Sequence, residues 1–289
     1  MTYGYFPGCS LESTSKEFDV SLRIVFEKLG LELAEIDNWI CCGSSAIHIA
    51  PRNLAIALPA QNLANAQQQG LENVVAPCAA CFARFKSAQY ELTQHPELLP
   101  EVEEIIGQKF NNKVRVLHPL ELFDESLLKT VSDMTINPLA GLKVVCYYGC
   151  LLTRPPKVTH FDDVENPQSM DRLVAALGAS VLEWDKKTDC CGGFFALTKP
   201  DIVLHLSRDI FESASRAGAQ AIIVACPLCQ VNLDTRQTEI NKTYGTDFDI
   251  PIVYFTQLMG LAFNIPHKSL QLDRHFIDTG SLLEKVVAS

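Results

Sequence analysis

The chain has 289 residues, enough for two domains at roughly 150 residues each. Its 47% hydrophobic and 20% charged residues, with 15 each of Gly and Pro, exclude low-complexity, collagen-like and disordered classes. The formal charge of -10, from 24 basic and 34 acidic residues, disfavours nucleic acid or an anionic membrane as a partner.

Taken along the chain, residues 1–6 have neither a basic stretch nor a long apolar one, so no export signal is expected and the cytosol is the expected compartment. Residues 2–6 read as a strand. Thr14-x-x-Glu17 has capping-box spacing and opens a helix with Phe18, Leu22, Val25, Phe26 and Leu29 on one face and Gly30 as its stop. A strand at 31–36, a helix from Pro51 to Gly70 and a strand at 73–76 running into Cys78 follow. Next come a strand at 114–117 and a helix at 119–128. Residues 124–141 hold few large side chains and read as the connection, which divides the chain into domains 1–138 and 139–289.

The second half repeats this order: strand 142–147, helix 167–177, strand 179–183, helix 200–217, strand 220–225, strand 252–255 and helix 257–263. No run approaches the roughly 18–20 apolar residues of a membrane helix, so no transmembrane segment is expected. The alternation predicts an α/β fold. It is read as two tandem, duplicated Rossmann-like domains with parallel sheets flanked by helices and related by pseudo-two-fold symmetry, with ligands at the carboxyl ends of strands.

Eleven cysteines in a reducing compartment point to metal binding or redox catalysis before a disulfide framework. Ten of them draw one figure twice. Cys9, Cys41-Cys42 and Cys78-x-x-Cys81 are separated by 31 and 35 residues, and Cys150, Cys190-Cys191 and Cys226-x-x-Cys229 by 39 and 34. The flanks repeat too: Pro7-Gly8-Cys9 matches Tyr148-Gly149-Cys150, and Cys41-Cys42-Gly43 matches Cys190-Cys191-Gly192. Five cysteines with an adjacent pair fit a four-ligand tetrahedral zinc poorly, whereas a multinuclear iron-sulfur cluster gives neighbouring thiolates different metals to reach. A helix N-terminus at each Cys-x-x-Cys would favour thiolates, and Gly43 and Gly192 would let the backbone approach the sulfurs.

This doubled pattern, with Cys-Cys-Gly in each copy and the Gly-Cys-Leu-Leu-Thr-Arg-Pro stretch at 149–155, resembles the tandem CCG domains of the B-type subunit family of heterodisulfide reductases. The resemblance implies that each half binds a non-cubane [4Fe-4S] cluster through its five cysteines, the first through Cys9, Cys41, Cys42, Cys78 and Cys81, the second through Cys150, Cys190, Cys191, Cys226 and Cys229. It also implies that the cluster pair reduces or forms a disulfide or sulfur-carrier persulfide, in a heterodisulfide-reductase-type complex with a flavin-containing A-type subunit and a ferredoxin-like C-type subunit. Two clusters would divide the two electrons that a disulfide needs.

The alternative within redox enzymes is an electron-transfer subunit of a quinone-linked dehydrogenase of succinate or lactate type. From other classes, a metal-free thiol oxidoreductase or a zinc-held scaffold would both give a colourless protein. No G-x-G-x-x-G or Walker stretch provides a flavin, nicotinamide or nucleotide site, and no cubane ferredoxin run is present, so electrons must come from a partner.

His48, shortly after Cys41-Cys42-Gly43, is the candidate proton donor. Arg154, after Cys150, is the candidate to offset cluster charge or hold an acidic substrate, with a solvated surface arginine as the competing reading. Arg84 and Lys86, one turn past Cys81, are weaker candidates. Phe82, Phe194 and Phe195 are expected to shield the clusters from water, although core packing also accounts for them. Cys146, outside the repeat, reads as a small buried hydrophobe, and the other histidines need no special role.

Overall fold

The computed structural model describes residues 2–44 and 50–287. Strands β1 (Thr2–Tyr5), β2 (Glu32–Glu35), β3 (Asn73–Val75) and β4 (Arg115–Leu117) form one parallel sheet in the order β2-β1-β3-β4. Strands β5 (Lys143–Tyr147), β6 (Ser180–Val181), β7 (Ala221–Val224) and β8 (Ile252–Tyr254) form a second with the equivalent order β6-β5-β7-β8. The two halves are therefore tandem Rossmann-like α/β domains. Both faces of each sheet are covered, which is why β7 is the unbroken apolar run Ala221-Ile222-Ile223-Val224, all buried.

In the first half the helices are α1 (Gly8–Glu12), α2 (Lys16–Lys28), α3 (Arg52–Gln68), α4 (Ala79–Gln94), α5 (Leu99–Ile106) and α6 (Glu125–Met134). The second half contributes α7 (Cys150–Thr153), α8 (Pro156–Thr159), α9 (Ser169–Ala176), α10 (Pro200–Ala217), α11 (Pro227–Tyr244), α12 (Phe255–Ala262) and α13 (Gly280–Val287). Among the described residues no helix is long and apolar enough to cross a membrane.

Two sequence expectations are corrected. The Thr14-x-x-Glu17 capping box does not form: α2 begins at Lys16 without a side-chain cap on Ser15, and the buried Glu17 carboxylate lies 3.7 Å from the Arg274 guanidinium. The helix expected at 119–128 is divided into a 3-10 turn (Pro119–Leu122) and α6. Asp124 separates them, because its side chain accepts from Leu127 N at 2.9 Å and caps α6. The supposed connection is thus largely helical, anchored by the buried Leu128 and Val131.

The halves exchange equivalent contacts, as an approximate two-fold relation requires. Helix α2 of the first packs on α12 of the second, and α9 of the second packs on α6 of the first. At the first of these contacts the Phe18 ring stacks on Tyr254 at 4.1 Å, and the Ser21 and Thr256 hydroxyls hydrogen-bond at 2.7 Å.

Candidate functional site

In a parallel sheet ordered 2-1-3-4, the strand order reverses between the first and third strands, and the crevice at their carboxyl ends is where doubly wound folds bind ligands. Both copies put cysteines there. Cys9 follows β1 and Cys78 follows β3; Cys150 follows β5 and Cys226 follows β7. The vicinal pairs arrive on the loops after β2 and β6. Cys78 and Cys226 are the N-cap residues of α4 and α11, so the second cysteine of each Cys-x-x-Cys lies in a first helical turn, where free amides favour thiolate.

All five cysteines of the first set line one cavity of about 330 Å³. All five of the second line another of about 30 Å³. Gly193, Phe194 and Leu228 line both, so one apolar wall separates the two sets. Within each set the thiols touch: Cys42 Sγ lies 3.2 Å from Cys81 Sγ, and Cys191 Sγ 3.6 Å from Cys229 Sγ. Across the halves Cys78 and Cys226 shift each other's acidity, Cys226 raising Cys78 and being itself lowered chiefly by Cys229 and then by Cys78. Cys9, Cys41 and Cys190 are exposed, Cys150 is half-buried, and the rest are buried.

The sulfurs differ in acidity. Cys42 is lowered to about 7, chiefly by the hydrogen bond from Cys81, with Arg84 helping from a distance. Cys190 is lowered to about 6, chiefly by the hydrogen bond from Cys150 and also by the Gly192 amide. Cys81 and Cys229 are raised, mainly by their hydrogen bonds with Cys42 and Cys191, and burial adds to this. Each half therefore pairs a ready thiolate with proton-retaining thiols.

The backbone approaches these sulfurs closely. A Cβ on Gly8 would stand 3.3 Å from Cys81 Sγ, and one on Gly149 would stand 3.0 Å from Cys229 Sγ, and both glycines have positive φ, +67° and +71°. Among the described residues no three His, Cys, Asp or Glu side chains surround a single ion position. Neither cavity is lined, among the described residues, by a carboxylate or an imidazole, so the donor set they present is soft and uniform. Such a lining suits iron-sulfur or thiophilic metal chemistry and not magnesium or calcium.

The remaining candidates are placed as follows. His48 lies outside the described residues. Arg154 lines neither cavity; its guanidinium donates to Thr188 O and to Glu165 Oε2, both at 2.9 Å, and braces the loop leading to Cys190. Phe194 lines both cavities. Phe82 is fully buried, edge-on to His118 and Phe161, Phe195 is 46% exposed, and Lys86 sits over the Phe82 ring. Cys146 is buried in β5 and lines neither cavity.

Sequence reading missed two groups. Lys187, 3% exposed, pairs with Asp171 at 2.6 Å while its carbonyl accepts from Tyr148 N and Gly149 N, holding the turn that precedes Cys150. His118 is the N-cap of the turn after β4, in a capping box with Glu121, and Tyr254 caps α12 with Gln257 at the equivalent place. The repeat of a cap and its third-following partner at two strand ends was the available signal.

The comparisons with known proteins agree with this picture. The CCG cysteine-rich domain model matches residues 3–86 and again 144–234. The 8-methylmenaquinol:fumarate reductase membrane anchor subunit of Wolinella succinogenes is 30% identical over 97% of this chain and 98% of its own length. The B-type subunit of the ferredoxin:CoB-CoM heterodisulfide reductase of Methanosarcina mazei is 26% identical over 97% and 95% respectively. A hypothetical protein from Helicobacter pylori, of known crystal structure, superposes with a TM-score of 0.75 at 14% identity; the match covers 96% of this chain and 52% of that one, and is a likeness of fold. With the domain model matched twice and a relative at 30% identity along nearly its whole length, the chain belongs to the CCG cysteine-rich domain family, one copy in each half.

Proposed function

We propose that this chain is the iron-sulfur subunit of a heterodisulfide-reductase-like oxidoreductase complex. Each half holds a non-cubane [4Fe-4S] cluster through its five cysteines, and the two act together on a disulfide or sulfur-carrier persulfide. The observation that carries this reading is the meeting of two five-thiol sets on either side of one wall, Gly193, Phe194 and Leu228, which line both cavities. When bound, such clusters pass single electrons, and a pair of them meets the two-electron demand of a disulfide.

The chain's own residues do the rest. Ten thiolates supply the ligands, Phe194 and Leu228 keep water from the wall between the sets, and the exposed Cys9 and Cys41 mark the side open to a substrate. His48 is assigned proton donation to a leaving thiolate, and Arg154 the support of the Cys190 loop beside the cluster charge. A flavin-containing subunit and a ferredoxin-like subunit supply or accept electrons, in keeping with the heterodisulfide reductase name of the Methanosarcina relative.

A second reading, electron transfer in a quinone-linked dehydrogenase complex of succinate or lactate type, is favoured by the name of the Wolinella relative. The apolar rim of the larger cavity, where Leu197 is 96% exposed, also supports it. Anaerobic purification with iron and sulfide analysis tests what both readings share: about four irons per five-cysteine set are expected, and a folded, colourless, iron-free protein overturns both. Disulfide-dependent oxidation of the reduced protein is expected under the first reading. Its absence, with rapid oxidation by a menaquinone analogue, selects the second.

A further inference from the structure

His118 is fully buried at the carboxyl end of β4, between the halves. Its Nδ1 accepts from Leu120 N at 3.3 Å, which leaves the ring's proton on Nε2. That single N–H faces two carbonyl oxygens, Pro77 O at 3.0 Å and Ala225 O at 3.2 Å. These carbonyls belong to the peptide bonds that enter Cys78 and Cys226, the first cysteine of each Cys-x-x-Cys. Burial holds the imidazole neutral, pulling its pKa down to about 4, so the ring stays a one-proton donor near neutral pH.

One donor can serve two equivalent acceptors only if it stands near the axis that relates them. The equivalent cap, Tyr254, stands elsewhere: it stacks on Phe18, and its hydroxyl faces Gln230 Oε1 at 3.4 Å. The duplication thus produced two caps, and one of them became the fastening between the two ligand loops.

We propose that His118 is a positioning residue that ties the two Cys-x-x-Cys loops together and thereby sets the separation and electronic coupling of the two clusters, an inference that rests on the cluster reading above. Contacts behind a ligand orient it and tune the centre it binds. Here one contact acts on both centres at once, through the peptide bonds that enter Cys78 and Cys226.

The test compares the anaerobically prepared protein with H118N and H118Q. The shorter Asn amide can still cap Leu120 N–H but cannot reach the two carbonyls, whereas the Gln amide extends to the Nε2 position. All three are expected to hold equal iron and sulfide. The magnetic interaction between the two centres, read by electron paramagnetic resonance, is expected to change at least about twofold in H118N and to return in H118Q. An H118N protein with full iron and an unchanged interaction overturns the proposal.

A second measurement needs no metal. The metal-free protein labelled with [15N]histidine should give a slowly exchanging Nε2–H signal from His118 and another from the buried His275 side chain, whose Nε2 faces Gln257 Oε1 at 3.0 Å, and a folded H275Q protein without any such signal overturns the tie. Iron-free wild-type protein would overturn the cluster reading alone, and the histidine signal would still decide whether the tie exists; the same signal decides if H118N does not fold.

Discussion

In the first half Tyr5 donates to Asp19 Oδ1 at 2.8 Å, and Arg23 lies over the Tyr5 ring at 4.4 Å while reaching Asp19 and the exposed Glu35. In the second half Tyr148 donates to Asp171 Oδ2 at 2.6 Å, and the cation beside that carboxylate is Lys187, arriving from the loop before Cys190. Each half has solved the same problem, a buried tyrosine–aspartate pair beneath the first cysteine, with a cation from a different place. Arg23 keeps 37% of its side chain exposed and Lys187 only 3%. The duplication has therefore preserved the positions of the sulfurs while the supports beneath them diverged, so equivalent substitutions should give unequal losses.

The ligands themselves should lose most, and equally. In the two-cluster reading Cys9→Ser and Cys150→Ser each remove about half of the bound iron. Each should also lower disulfide turnover beyond the roughly 100-fold that loss of an outer-shell contact brings. Iron analysis and turnover under strict anaerobiosis check this. Full turnover in Cys150→Ser would sink the requirement for two centres, and full turnover in Cys9→Ser would do the same from the other side.

The supports should lose less, and unequally. Lys187→Met strands the Asp171 carboxylate in a buried site, which costs about 3–5 kcal/mol. Arg23→Met removes a cation that is 37% exposed, and the buried Asp19 keeps Lys16 at 3.7 Å, so it should cost less, about 1 kcal/mol. Urea midpoints at constant m-value measure the difference. Equal shifts would mean that a fully buried cation is worth no more to its aspartate than a partly exposed one, and that the asymmetry between the halves has no energetic content.

The sequence made the cysteine figure legible because its spacing follows the strand ends that carry it, and strands such as 220–225 because full burial leaves an unbroken apolar run. Helix α6 was hidden because Asp124 reads equally well as a loop residue and as a cap, and only the packing of Leu128 and Val131 decides between them. Glu17 misled for a related reason: its partner, Arg274, lies far along the chain. His118 was harder still, since its acceptors stand 41 and 107 residues away, in different halves. Local pattern identified the cysteine sets, and long-range contact decided what holds them in place.

The glycines sharpen the comparison most finely. Gly30, Gly8 and Gly149 all have positive φ, but a Cβ on Gly30 would meet nothing within 4 Å. Gly30→Ala should therefore carry only the backbone penalty of about 1 kcal/mol and leave iron content unchanged. Gly149 combines φ 71° with ψ -179°, a region that residues with a Cβ rarely enter, and its new methyl would press on Cys229 Sγ at 3.0 Å. Gly149→Ala should cost about 1–3 kcal/mol and lower the iron bound by the second set alone. Gly8→Ala meets Cys81 Sγ at 3.3 Å, so it should displace its sulfur less and lose less iron. Iron titration of the three purified variants orders them, and wild-type iron content in Gly149→Ala would mean that the close approach of backbone to sulfur in the second half plays no part in holding the cluster.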